Sequence, residues 1–170
     1  MSIEGDSRRS RLLASSPTLL FRKLPRAPLI SAAQRRELRN FASRLSENIA
    51  SAASFTCLLT NDTELRRLNS DFLGHDYPTD VLSFPAGGSN GDLGEIAISV
   101  ARADAQAADF GHSCLDEIRI LMLHGFLHLT GLDHERDRGE MAVAERKWRD
   151  AFGLPSNLIS RNQTARGARK

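Results

Sequence analysis

The stretch that most restricts what this chain can become is His124-Gly125-Phe126-Leu127-His128-Leu129-Thr130-Gly131-Leu132-Asp133-His134. Ile118, Leu121, Met122, Leu123, Leu127 and Leu129 recur in helical phase through it, so the pattern predicts a largely buried helix starting near Ser113 and Asp116. On a helix, two histidines four apart lie one above the other, and both rings can reach one ion. Gly131 supplies a residue able to take positive φ and end the helix. The chain then turns back, and His134 arrives from outside the helix as a third nitrogen. Three neutral imidazoles plus one water form an open tetrahedral zinc site, the arrangement of a catalytic metal. A structural site would be closed by a fourth protein ligand, and none is offered nearby. With five histidines in 170 residues, chance sets two more at prescribed offsets on the order of once per thousand trials. The expectation is one zinc ion per chain on His124, His128 and His134.

The same spacing, with glycine before the last histidine, is that of the metzincin proteases, and one residue departs from it. Those enzymes carry glutamate directly after the first histidine as the base that activates water. Here that position is Gly125. A protease reading keeps its metal and loses its base, which points to different chemistry on a zincin-like, metal-bearing helix.

At 170 residues the chain is one domain, large enough for a sizeable core without disulfides. Cys57 and Cys114 fit no C-x-x-C pattern and sit among apolar neighbours, so buried free thiols are expected, in keeping with a reducing cytoplasm. No apolar run approaches a membrane span, and Leu12-Leu13 and Leu19-Leu20-Phe21 are too broken for a signal-peptide core. A protein that stays in the cytoplasm, off the membrane, is expected. Net charge is only +2, yet residues 1–47 hold ten basic against four acidic residues and 161–170 hold four against none. Basic ends on an acidic body suit contact with a polyanion, or simply keep the chain soluble.

In order, residues 1–16 are polar and predict disorder. Thr18–Leu24 predicts a strand closed by Pro25 and Pro28. Ser31 with Gln34 forms a capping-box pattern for a helix to about Ala50, its core face Leu38, Phe41, Ala42, Leu45 and Ile49. Arg35, Arg36, Arg39 and Arg44 sit mostly off that face, as an RNA stripe or a solvated one. Strands are expected at Ser54–Thr60, Val81–Phe84 and Leu93–Val100, with helices from Asn61 or Asp62 to Gly74, over Ala101–Phe110 and over Gly139–Phe152. Residues 17–155 make the domain, and 156–170 a basic, mobile tail. This alternation predicts an α+β fold with a mixed sheet of about four strands, some of the pairing antiparallel.

Several motifs, in fixed order, together resemble the YbeY family of bacterial rRNA maturation endoribonucleases. They are Leu68-Asn69, Asp76-Tyr77-Pro78-Thr79-Asp80-Val81-Leu82-Ser83-Phe84-Pro85, Gly91-Asp92-Leu93-Gly94-Glu95-Ile96 and the histidine stretch itself. The resemblance implies zinc on the three histidines and single-strand-specific RNA cleavage in small-subunit rRNA processing and ribosome quality control. The small ribosomal subunit would be the partner, with no DNA expected. Many members carry an arginine after the aromatic residue that precedes the glycine; here Phe72-Leu73-Gly74 puts leucine there. Arg66, Arg67 and Arg119 are candidates to supply that charge, and His75 to contact RNA. Asp80, Asp92, Glu95 and Asp133 are candidate bases, or turn and capping residues. A metal hydrolase of another substrate and a non-catalytic ribosome-assembly factor fastened by zinc remain as alternatives.

Overall fold

The computed structural model describes residues 16–87 and 90–156. The terminal stretches for which composition predicts disorder, and the charge of the 161–170 tail, lie outside the described residues save at Ser16 and Ser156. Element order is β1 (Thr18–Phe21), α1 (Ala32–Ile49), β2 (Ser54–Thr60), α2 (Asp62–Leu73), β3 (Val81–Pro85), β4 (Asp92–Ser99), α3 (Val100–Phe110), α4 (Cys114–Leu129) and α5 (Glu140–Phe152). The strands form one four-stranded mixed sheet in the order β1-β2-β4-β3. β1, β2 and β4 run parallel, and β3 returns antiparallel at the edge. The fold is the α+β domain the pattern predicts.

Local chemistry sets the boundaries. Ser31 Oγ accepts the Gln34 amide N–H while the Gln34 side chain accepts the Ser31 N–H, a complete capping box. Asn61, Ser99 and Ser113 cap α2, α3 and α4 from one side only, each side chain accepting a backbone N–H three residues on. β1 is shorter than the run of apolar residues predicts. Lys23 takes φ +50°, which breaks the extended backbone, and the Asn61 side chain holds its carbonyl at 2.6 Å.

Strand alternation divides the core. Phe55, Cys57 and Leu59 of β2 and Ile96 and Ile98 of β4 face the larger layer, where α1, α4 and α5 pack. Leu82 and Ala97 face the smaller one, under Leu65 of α2. α4 is buried nearly all round, because it lies between the sheet and its neighbouring helices. Phe126 meets Phe55 edge-on at 4.9 Å between centroids, and burying such a ring contributes about 1.5–3 kcal/mol. Both cysteines are free thiols. Burial pushes Cys57 up to about 12 and is the main reason Cys114 rises to about 11. Among the described residues no helix is long and apolar enough to cross a membrane.

Candidate metal centre

α4 ends in a built turn. Thr130 caps it, the Gly131 N–H donates to the His128 carbonyl at 3.0 Å, and the Leu132 N–H donates to the Leu127 carbonyl at 3.3 Å. This is a Schellman closure, and its pivot residue Gly131 has φ +99°, where a side chain would be strained. The reversed chain then enters a second turn. The Asp133 carbonyl accepts from Arg136 and Asp137, and its carboxylate accepts the Glu135 N–H. His134 sits between these two turns, held back over the helix end.

The outcome is convergence. One ring nitrogen from each of His124, His128 and His134 lies within 4.8 Å of the others, and ring centroids are 4.8, 5.8 and 5.3 Å apart. Nitrogens on one zinc ion, each at about 2.0–2.1 Å, stand roughly 3.3 Å from one another in a tetrahedron. The three imidazoles therefore fit one ion after small ring rotations, and they can hold a metal. Burial, followed by His124 and His134 beside it, holds the His128 imidazolium below its ordinary range. That favours the neutral ring a metal needs.

Glu145 was not a sequence candidate. From α5 its carboxylate lies 3.0 Å from His124 Nδ1, and Arg149 one turn on donates to its other oxygen at 2.6 Å. A carboxylate on Nδ1 places the proton there and leaves Nε2 for an ion, the usual outer support of a metal-bound histidine. Nothing local marks Glu145 in the sequence. The only signal is an i, i+4 Glu–Arg pair on a helix that must fold back over α4.

Gly125 explains the missing glutamate. A Cβ built there would stand 2.9 Å from Ile96 Cγ2 and 3.0 Å from Ser83 Oγ, and Ser83 donates to the Gly125 carbonyl at 3.2 Å. This position is where the sheet presses against the helix. A glutamate has no room there.

The other candidates lie elsewhere. Among the described residues only the three histidines form a converging group of His, Cys, Asp or Glu donors. Asp80 takes the Val81 N–H and the Gln106 side chain, tying the loop before β3 to α3. Asp92 takes the Gly94 N–H, Glu95 is exposed on β4, and Asp133 shapes the turn around His134. Arg66 is held in two hydrogen bonds by Asp76, Arg67 by Glu64 and Asp71, and Arg119 by Asp116 and Glu37. His75 is exposed, its ring 5.4 Å from Tyr77. Leu73 is half exposed at the end of α2. Trp148 and Phe152 stack on each other and pack against the core.

Known proteins resemble this chain over most of its length. A chain from Solibacter usitatus named Endoribonuclease YbeY is 52% identical over 153 residues, covering 88% of this chain and 99% of its own. One from Nautilia profundicola with that name is 48% identical over 117 residues, covering 68% and 84%. A solution structure from Thermotoga maritima shares the fold with a TM-score of 0.54 at 24% identity, over 85% of this chain and 99% of that one. The family profile described as Endoribonuclease YbeY matches residues 29–153, which takes in β2, β3 and β4, the histidines and Glu145. Family profile and curated relatives agree, and the chain belongs to the YbeY endoribonuclease family.

Proposed function

We propose that this protein is a zinc-dependent endoribonuclease that cleaves single-stranded regions of small-subunit rRNA in ribosome maturation and quality control. The observation that carries the reading is the convergence of His124, His128 and His134 at the end of α4 in a chain of this family. A zinc ion on three neutral imidazoles keeps its full double charge and, when bound, supplies Lewis-acid chemistry at a phosphodiester. The protein's part is positional. Glu145 fixes the tautomer and orientation of His124, and Arg149 holds Glu145 in place. The Schellman closure at Gly131 and the Asp133 turn deliver His134. Packing at Gly125 excludes a helix-borne glutamate base, which counts against peptide hydrolysis.

The test is purified protein with fragments of small-subunit rRNA. Cleavage in single-stranded regions that needs added zinc, and falls to background in His128→Ala, is the expected result. Binding without cleavage would instead make the protein an assembly factor fastened by its metal, and turnover of peptides would make it a hydrolase of another class.

A further inference from the structure

Charge and its pairing divide the described chain in two. Residues 21–49 hold seven basic and two acidic side chains, whereas residues 50–156 hold nine basic and seventeen acidic ones. The metal centre belongs to the second part. A polyanion approaching the histidines therefore meets a body rich in carboxylates, and its affinity has to be supplied from another surface.

The two parts also use their cations differently. In the second, Arg66, Arg67, Arg102, Arg119, Arg136 and Arg149 each meet a carboxylate. In the first, only Lys23 does, with Glu64 at 3.0 Å. Arg22, Arg26, Arg36 and Arg39 are exposed and meet no carboxylate among the described residues. Arg35 and Arg39, one helical turn apart, both lie over the ring of Phe21, their guanidinium carbons 4.9 and 5.2 Å from its centroid. Arg35 is pinned further by donating from Nε to the Ile30 carbonyl. A guanidinium laid on an aromatic face keeps its N–H edge free and loses little entropy when that edge takes an anion. Arg36 continues the row on the same flank of α1, three residues before Arg39. A surface that only keeps a protein soluble needs no pair of arginines seated on one ring.

We infer that the face formed by β1, the segment after it and the Arg35–Arg36–Arg39 flank of α1 is an RNA-docking surface, gripping backbone phosphates away from the metal centre. It rests on the proposed function for its choice of RNA over an acidic polypeptide. Its work is affinity, and the reacting bond lies elsewhere. The surface matters for long RNA and is irrelevant to a fragment too short to reach it.

The experiment compares the full chain with an Arg35→Gln/Arg36→Gln/Arg39→Gln variant. Arg36→Gln/Arg39→Gln keeps the Ile30 contact should the triple variant fold poorly, and Arg36→Lys/Arg39→Lys retains the charge. Binding of a labelled single-stranded RNA of roughly forty nucleotides is measured from about 50 to 200 mM salt, where each phosphate contact contributes about 0.7 to the logarithmic salt slope. The expected result is a slope lower by about 2 in the triple variant, at least tenfold weaker binding at low salt, and recovery with lysine. The kcat on an oligonucleotide of roughly six residues stays unchanged. The same slope and affinity in all variants would overturn the inference, as would an equal loss of kcat on the short fragment. Unchanged RNA binding with lost affinity for polyglutamate would assign the face to an acidic polypeptide and also overturn it. His128→Ala keeps the wild-type slope, so a wild-type protein that binds this way without cleaving defeats the proposed function alone.

Discussion

Two histidine–glutamate pairs sit at opposite ends of α4, and their chemistry is nearly the same. At the start, His112 Nε2 lies 2.5 Å from Glu117; at the end, His124 Nδ1 lies 3.0 Å from Glu145. Surroundings separate them. The first pair is sealed, with side chains 8% and 0% exposed, and the other ring nitrogen of His112 is buried without a hydrogen-bond partner among the described residues. The second is 17% and 16% exposed, and the His124 ring converges with two further imidazoles. One pair fastens α4 to the turn before it. The other steadies one ring of the histidine cluster, where the side chains stay partly exposed. A histidine becomes part of a site through what its second nitrogen faces and whether solvent can reach it.

The two glutamates should therefore fail differently. Glu117→Ala strands a buried imidazole and should destabilise the fold by about 3 kcal/mol in urea denaturation, with zinc affinity of the folded protein unchanged. Glu145→Gln should leave stability much closer to wild type and weaken zinc binding by about 10–100-fold in competition with a chelator. Equal effects of both changes on metal affinity would erase the contrast. A substitution between the two pairs sharpens it. Gly125→Ala meets Ile96 and Ser83, a clash that costs about 1–3 kcal/mol, while better helix propensity offsets about 1 kcal/mol. The net loss, about 1 kcal/mol, should appear as stability with little change in metal affinity.

The smallest expected effect belongs to Glu64, a largely covered carboxylate held by two exposed cations. Hydrogen bonds from Arg67 and then Lys23 hold Glu64 well below the usual carboxylate range, at about 2 against 4.5. A depressed carboxylate contributes stability that is present above the unfolded value and is lost as the pH falls through the folded one. Denaturation midpoints should therefore decline between pH 4.5 and about 2, and Glu64→Gln should flatten part of that decline. An unaltered profile would show that this network adds nothing measurable.

Much of the site was legible because its signal is local. His124 and His128 share a helix face by spacing alone, and Gly131 marks the turn that brings His134 back. Helix starts were readable for the same reason: Ser31, Asn61 and Ser113 act within three residues of themselves. β1 is shorter than its apolar run suggests, because such a run does not report that Lys23 leaves the extended region, a conformation held by Asn61 from 38 residues away.

What the amino-acid order determined by itself, then, was periodicity, caps, the α+β class and the three nitrogen donors, since each depends on residues a turn or two apart. Only the tertiary structure decided that Glu145 supports His124, that Gly125 is glycine because β4 and Ser83 press on it, and that Asp80 and Arg119 are already engaged. It likewise decided that Arg35 and Arg39 share the ring of Phe21. Those contacts join residues from 14 to 82 positions apart, and such pairs are set by how helices and strands pack, a property no local pattern encodes.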